Sequence, residues 1–586
     1  MKNRTGRKNR GLRITLWASG TVLLALLCAA FILLIKVKGN ISYLYNFFVK
    51  TRGSLPVVRF ETEPTTGIRE PYATDETAPE KFLLGTALEV NGERCETYAR
   101  TAQIGLSAEE REHFPCATGI PTFRGNYKRS ITAFGSLSGD GTAIAQTWQV
   151  KTGRFLKDDG VNYWSGNGWT GQPLAIQWST YWKQTMNLYP QAKAKEGLVE
   201  LIYPGMDGKI LFLDMETGES TRDAISVGMT FKGTCSLHPE YPLLICGSGD
   251  SATGPFGEQV SARFFIYNLL TGEKLYEFAA NDTFAPRTWH GFDSSPIFAT
   301  EADTVICPGE NGVLYTVHLN TAYDEESRVL TIHPDETVKY VYTSFAAGER
   351  YEASENGNGS GSESSAVIWE HYLFFGDNGG IFQCLNLNTM QPVWVQDLFE
   401  DINSSPILEF SDDGVFLYVG TTLKFHTDRH HLGQAGIYKI NALNGQILWC
   451  KPYEVHTVLG LAGGVLSTGA SGTGEVADYL FYAVSKTPGV DSGYLVAISK
   501  QTGEEYWRKE LPCDAWSSGC LVYDEEGHAK YVQCLGNGDI YLMDARSGKV
   551  LDSISYGTNI ESTPVIFGNR LAVGLRSEYI IGAEIR

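Results

Sequence analysis

His426, Asp428, His430 and His431 share one short stretch, "HTDRHHLGQ" at 426–434. Imidazole and carboxylate at this spacing suit zinc or another transition metal. Arg429 stands among them, however, and the stretch is polar, so a solvated turn competes with this weak metal candidate. A second set lies just ahead of short serine-rich segments: Trp169, Trp289, His290, Asp293, Asp401, Asn403, Trp516, Asn559 and Glu561. Aromatic walls with carboxylates suit a sugar, an amine or a divalent cation, if the fold gathers them around one mouth. Water in a polar channel is the plain alternative. Other chemistries have no footing. No G-x-S-x-G joins a strand to a helix, and G-x-x-x-x-G-K-[ST] and C-x-x-C are absent.

What must position these residues is a repeat. "GKILFLDMETGES" (208–220) returns as "ARFFIYNLLTGEKLYEF" (262–278), "GIFQCLNLNTMQPVW" (380–394) and "GIYKINALNGQILW" (436–449). It returns again as "GYLVAISKQTGEEYW" (493–507) and "GDIYLMDARSGKV" (538–550). Alternating apolar residues predict a strand, and the Thr-Gly, Asn-Gly or Ser-Gly step predicts a tight turn with positive φ. The next strand often opens on tryptophan, as at Trp394, Trp449 and Trp507. Ahead of each unit stands a small-residue start. These are "WTGQPLAI" (169), "FKGTCSLH" (231), "FDSSPIFA" (292), "ESSAVIWE" (363), "INSSPILE" (402), "LGLAGGVL" (459), "WSSGCLVY" (516) and "IESTPVIF" (560). Small residues suit an innermost strand crowded around an axis. Eight such units of four strands predict an all-β, eight-bladed β-propeller over 140–586.

The last repeat ends before its turn and its tryptophan strand. "AQTWQVKTG" (145–153) supplies those pieces from the other end, with Trp148 in the place of Trp449 or Trp507. The N-terminal segment is thus expected to close the ring, removing open sheet edges.

Ahead of the propeller, residues 1–13 carry six basic and no acidic side chains, and Ile14–Ile35 is an uncharged run of 22 residues. At 1.5 Å per residue such a run matches a bilayer core, and the basic flank places the N-terminus inside. The expected organisation is a cytoplasmic tail (1–13), a transmembrane helix (14–35) and an extracytoplasmic stalk (36–90). A lead-in segment packing on the propeller (91–139) follows. The localisation read from this is the cell membrane, single-pass, with the propeller outside the cytoplasm. The chain carries a net charge of −19, so it lacks the basic footprint that nucleic acid requires. Its eleven cysteines are compatible with an oxidising compartment, with Cys95–Cys116 and Cys235–Cys246 as pairs suggested by proximity and buried free thiols on strands as the equal alternative. Two of Cys513, Cys520 and Cys534 form a third option.

The unit G-x-[IL]-[YF]-x-[IL]-x-x-x-T-G-x-x-x-W, with its "SSP" starts, resembles the pyrroloquinoline-quinone-like (quinoprotein-type) propeller repeat. "TFRGN" (122–126) and "GNGWTGQP" (166–173) resemble elements of its membrane-anchored branch. The resemblance implies either a quinone- and calcium-dependent alcohol or sugar dehydrogenase or a cofactor-free scaffold. Alcohol-oxidising members carry two adjacent cysteines beside the quinone, and no two cysteines are adjacent in this chain. No Glu/Asn/Asp set aligns with the roles of calcium ligand and base. Long loops at 249–261, 348–364, 426–434 and 486–493 should gather on the mouth side. The function expected is therefore a membrane-anchored scaffold without cofactor, binding an envelope protein or glycan. The quinone-dependent dehydrogenase is the alternative.

Overall fold

The computed structural model describes residues 41–586 except 66, 108–113, 158, 168–169, 250–251, 254–258, 288–290, 346–349 and 351–359. Eight antiparallel sheets form the ring. The pattern is clearest in the fourth blade, whose strands run from the axis outward as Val367–Trp369, Tyr372–Gly376, Ile381–Asn386 and Gln391–Asp397. Inner strands start at one face, called the mouth face here, and the second and fourth strands return to it. The final sheet joins Val565–Phe567, Arg570–Leu575 and Tyr579–Ile585 to Ile144–Lys151, with Trp148 opposite Gly582. The two ends of the propeller sequence thus share one blade, as its tryptophan pattern predicted.

The repeat's glycine and tryptophan meet across blade boundaries. The indole N–H of Trp394 donates to Ala442 O, that of Trp449 to Lys500 O and that of Trp507 to Ala545 O, while that of Trp148 donates to Met215 O. In each case the glycine three residues further on (Gly445, Gly503, Gly548, Gly218) has φ between +70° and +74° and lies against that indole. One glycine therefore supplies both the left-handed turn and the space for a neighbour's ring. A register shift beside each of these tryptophans aims it out of its own sheet.

The serine-rich starts have an equally definite use. An innermost strand has no partner on its axial side, so its first N–H needs another acceptor. Ser295 N donates to Ser365 Oγ, Ser365 N to Ser405 Oγ, Ser405 N to Thr468 Oγ1, and Thr468 N to Ser518 Oγ. Ser518 N reaches Thr563 Oγ1, Thr563 N reaches Gly171 O, Gln172 N reaches Thr234 Oγ1, and Ser295 Oγ donates to Thr234 O. This belt crosses all eight blade boundaries. It also corrects one start: the inner strand of the sixth blade is Ala470–Ser471, not the "LGLAGGVL" stretch. Gly463–Gly464 instead pairs with Thr422–Leu423 of the fifth blade.

The stretch expected to be a stalk does not stand free. From Thr51 on it is strapped to the ring: Thr51 N donates to Pro488 O, Val58–Arg59 adds a strand to the fifth blade and Val395 N donates to Thr77 O. Leu83–Val90 then extends the third blade by pairing with Glu336–Ser344. An extended chain satisfies its backbone by adding to sheet edges, which leaves it no freedom as a spacer. Of the expected disulfides, Cys235–Cys246 is present, while Cys95, Cys116, Cys513, Cys520 and Cys534 are free thiols. Cys116 is buried with its Sγ on His238 O, and Cys95 sits on a hairpin at the rim of the third blade. Among the described residues no helix is long and apolar enough to cross a membrane, and Ile14–Ile35 lies outside those residues.

Candidate functional site

The axis is filled by the chain itself. Ala117–Ile120 pairs inside the first blade, and the residues after it run under the inner strands of the others. Arg129 donates to Ser295 O at 3.0 Å and Ala366 O at 3.1 Å. Arg124 donates to Gly519 O at 2.6 Å, Thr468 O at 2.9 Å and Gly469 O. Ile368 N, Leu408 N and Phe134 N bond to Tyr127 O, Lys128 O and Ile566 O. Both guanidiniums are fully buried. Burial pulls Arg129 down to about 9, yet with its donors held by carbonyls it stays a cation at neutral pH. Two cations thus act as spokes, Arg129 tying the third and fourth blades to the plug and Arg124 the sixth and seventh.

Above Phe123 of the plug, a cavity of about 40 Å³ remains, bordered by Asp293, Glu363, Asn403, Ser365 and Ser405. Glu363 is raised by burial and by the Asp401 carboxylate, against the pull of Lys424, Arg287 and Lys232. Asp401 accepts from Asn378 Nδ2 at 3.1 Å and pairs with Lys424 at 3.3 Å. Arg287 donates to Asn378 Oδ1 at 2.7 Å. This half of the mouth is a network of neutralised charges.

The other half is open. A bowl of about 370 Å³ is lined by Trp516, Asn559, Glu561, Asp491, Asp514 and Leu461. Asn559 Nδ2 donates to Glu561 Oε1 at 2.7 Å, and Lys486 pairs with Asp514. Burial raises both carboxyls, opposed by Arg576 at Glu561 and by Lys486 at Asp514. An aromatic ring beside carboxyls with raised affinity for protons suits hydroxyl-rich or cationic groups.

The structure therefore divides the residues read from the sequence. Asp293 and Asn403 border the axial cavity, Asp401 is held beside it, and Trp516, Asn559 and Glu561 belong to the bowl. Trp169, Trp289 and His290 lie outside the described residues. Glu363 was missed although it occupies the same place before "SS" as Asp293 and Asn403. Asp491 and Asp514 carry no motif; only topology brings them in.

The metal candidates are each engaged elsewhere. His426 Nδ1 lies 2.8 Å from Glu400 Oε1, Asp428 accepts from His430 N and Leu432 N, and His430 stacks on Tyr45 at 3.9 Å. Among the described residues no three His, Cys, Asp or Glu groups come together to hold a metal. A tricyclic quinone with calcium needs a slot of roughly 300 Å³ or more. The axial cavity is far smaller, so among the described residues the axis itself has no room for the group.

No protein-family model and no curated protein matches the chain. Solved structures do. The quinohemoprotein alcohol dehydrogenase ADHIIG from Pseudomonas putida HK5 is 10% identical, covers 80% of each chain and has a TM-score of 0.52. BamB from Moraxella catarrhalis is 11% identical over 75% of this chain and 99% of its own, with a TM-score of 0.43. The quinohemoprotein alcohol dehydrogenase from Comamonas testosteroni is 12% identical over 80% of each chain, with a TM-score of 0.37. The fold is the quinoprotein-like, eight-bladed β-propeller. At this identity the likeness is one of architecture alone.

Proposed function

We propose that the protein is a membrane-anchored, extracytoplasmic binding scaffold that engages an envelope protein or glycan through its mouth face. The observation that supports this most is the plugged axis, which leaves about 40 Å³ where the sheets converge and a bowl of about 370 Å³ beside it. Trp516 offers a ring for a sugar face or an apolar side chain, and Asp491 and Glu561 offer acceptors for hydroxyl or ammonium groups. Ile14–Ile35 serves as the anchor, with the basic tail inside. The test is affinity capture from detergent-solubilised envelope with the full chain, beside a Trp516→Ala, Glu561→Gln variant. A captured species lost with the variant supports the reading. Turnover of alcohols or aldoses after adding quinone and calcium overturns it in favour of the dehydrogenase alternative.

A further inference from the structure

The helix Ile41–Phe48 is where the described chain begins, and it sits on the mouth face. Tyr45 stacks on His430, in the loop between the second and third strands of the fifth blade. Thr51 Oγ1 lies 3.0 Å from Thr487 Oγ1, in the matching loop of the sixth blade. Arg52 pairs with Glu454 at 3.0 Å, and Gly53 lies against the Tyr494 ring. The helix is thus fixed between two loops rather than hung from a flexible arm. It has no charged residue, and Phe48 is 71% exposed while Asn46 is fully buried.

Other large apolar side chains stand bare on the same face. Val161, at the tip of the hairpin following the eighth blade, is 74% exposed, and Phe399 is 56% exposed. Leu459 and Leu461 stand out from the connection between the fifth and sixth blades. The far face shows fewer: Tyr181, Val329, Phe410 and Tyr506, with Phe60 and Ile68 of the segment laid along the fifth blade, are its bare large apolar side chains among the described residues. Soluble surfaces scatter such residues; their gathering on one side marks an interaction surface.

The length of chain outside the structure selects the occupant. Only residues 36–40 separate the apolar run ending at Ile35 from the docked helix. Five residues span at most roughly 18 Å even when fully extended. If Ile14–Ile35 crosses the bilayer, the helix and the face carrying it lie within that distance of the lipid surface. Aromatic and aliphatic side chains at this depth favour the interface. We infer that the mouth face of the propeller rests against the outer surface of the bilayer, with Phe47, Phe48, Phe399, Leu459 and Val161 as its lipid contacts. This inference relies on the anchor reading proposed above. A partner for the Trp516 bowl must then approach along the membrane surface.

The experiment is hydrogen exchange of the full chain in phosphatidylcholine–phosphatidylglycerol nanodiscs, compared with the same chain in detergent. Residues 398–402 and 457–463 should exchange at least about fivefold more slowly in nanodiscs, while 325–328 and 411–414 on the far face stay unchanged. The exposed substitutions Phe48→Glu and Leu459→Glu together should remove that protection without changing recovery of the protein in nanodiscs. A chain that enters nanodiscs but shows equal exchange on both faces overturns this inference and leaves the anchor standing. A chain that does not enter nanodiscs overturns both.

Discussion

Gly445 and Trp394 give the sharpest test of how one blade grips the next. Gly445 has φ +73°, and a Cβ there would stand 2.6 Å from Trp394 Cε3 and 2.7 Å from Cδ2. Trp394 is fully buried and donates its indole N–H to Ala442 O at 3.0 Å. Replacing Gly445 with alanine brings left-handed backbone strain of about 1–2 kcal/mol. Displacing a packed ring adds about 1–3 kcal/mol of overpacking. Gly527 provides the control, with φ +88° and nothing within 4 Å of its Cβ position, so Gly527→Ala bears the strain alone. Urea unfolding followed by near-ultraviolet circular dichroism should place Gly445→Ala about 1–3 kcal/mol below Gly527→Ala. With Trp394→Ala in the background that gap should close, because the ring that creates the clash is gone. Equal costs for the two glycines, or a gap that survives removal of the tryptophan, would refute the docking argument.

Further expectations concern the plug, a buried carboxyl and the cysteines. Arg124→Met leaves the carbonyls of Thr468, Gly469 and Gly519 without their donor and should cost about 3 kcal/mol or more, seen as earlier proteolysis of the sixth and seventh blades. Burial raises Asp377 to about 7, and it accepts from Tyr342 Oη at 2.6 Å. The folded protein thus holds this proton more tightly than the unfolded chain, so Asp377 costs stability progressively as pH rises from about 4 to 7. Asp377→Asn should remove that part of the slope, worth up to about 4 kcal/mol, in unfolding measured at pH 4.5 and 8. Reducing Cys235–Cys246, which closes a separation of 11 residues, should lower stability by about 2–3 kcal/mol. Alkylation of the unfolded, unreduced protein should label Cys95 and Cys116.

The sequence carried the blade count because most blades repeat a physical need: four boundaries set a left-handed glycine under a neighbour's indole, and six give an inner N–H a hydroxyl acceptor. Trp148 was legible as the closing strand because the C-terminal repeat lacked its partner. The sixth blade's start was misplaced because "GLAGGV" and "LSTGAS" both offer small residues, and only strand pairing separates them. The plug was not legible. Arg124 and Arg129 sit in a sequence without periodicity, and their use depends on carbonyls contributed from blades hundreds of residues away. The strapping of residues 51–90 was hidden for a similar reason, since Pro- and Thr-rich sequence reads alike whether it is free or laid along a sheet edge. Half of the site shared that fate: "SS" marks the inner strands and so points to Asp293 and Glu363, whereas Asp491 and Asp514 reach the bowl through loops alone.

The central claim is that the axis is closed by the chain itself, and the proposed function puts binding on the mouth face rather than in a cofactor chamber there. Equilibrium dialysis of the full chain against pyrroloquinoline quinone with calcium, read by the absorbance of the retained quinone, tests this most directly. The account predicts no stoichiometric retention, and no change when Arg124 or Phe123 is substituted. One quinone retained per chain, with alcohol or aldose oxidation accompanying it, would contradict the account.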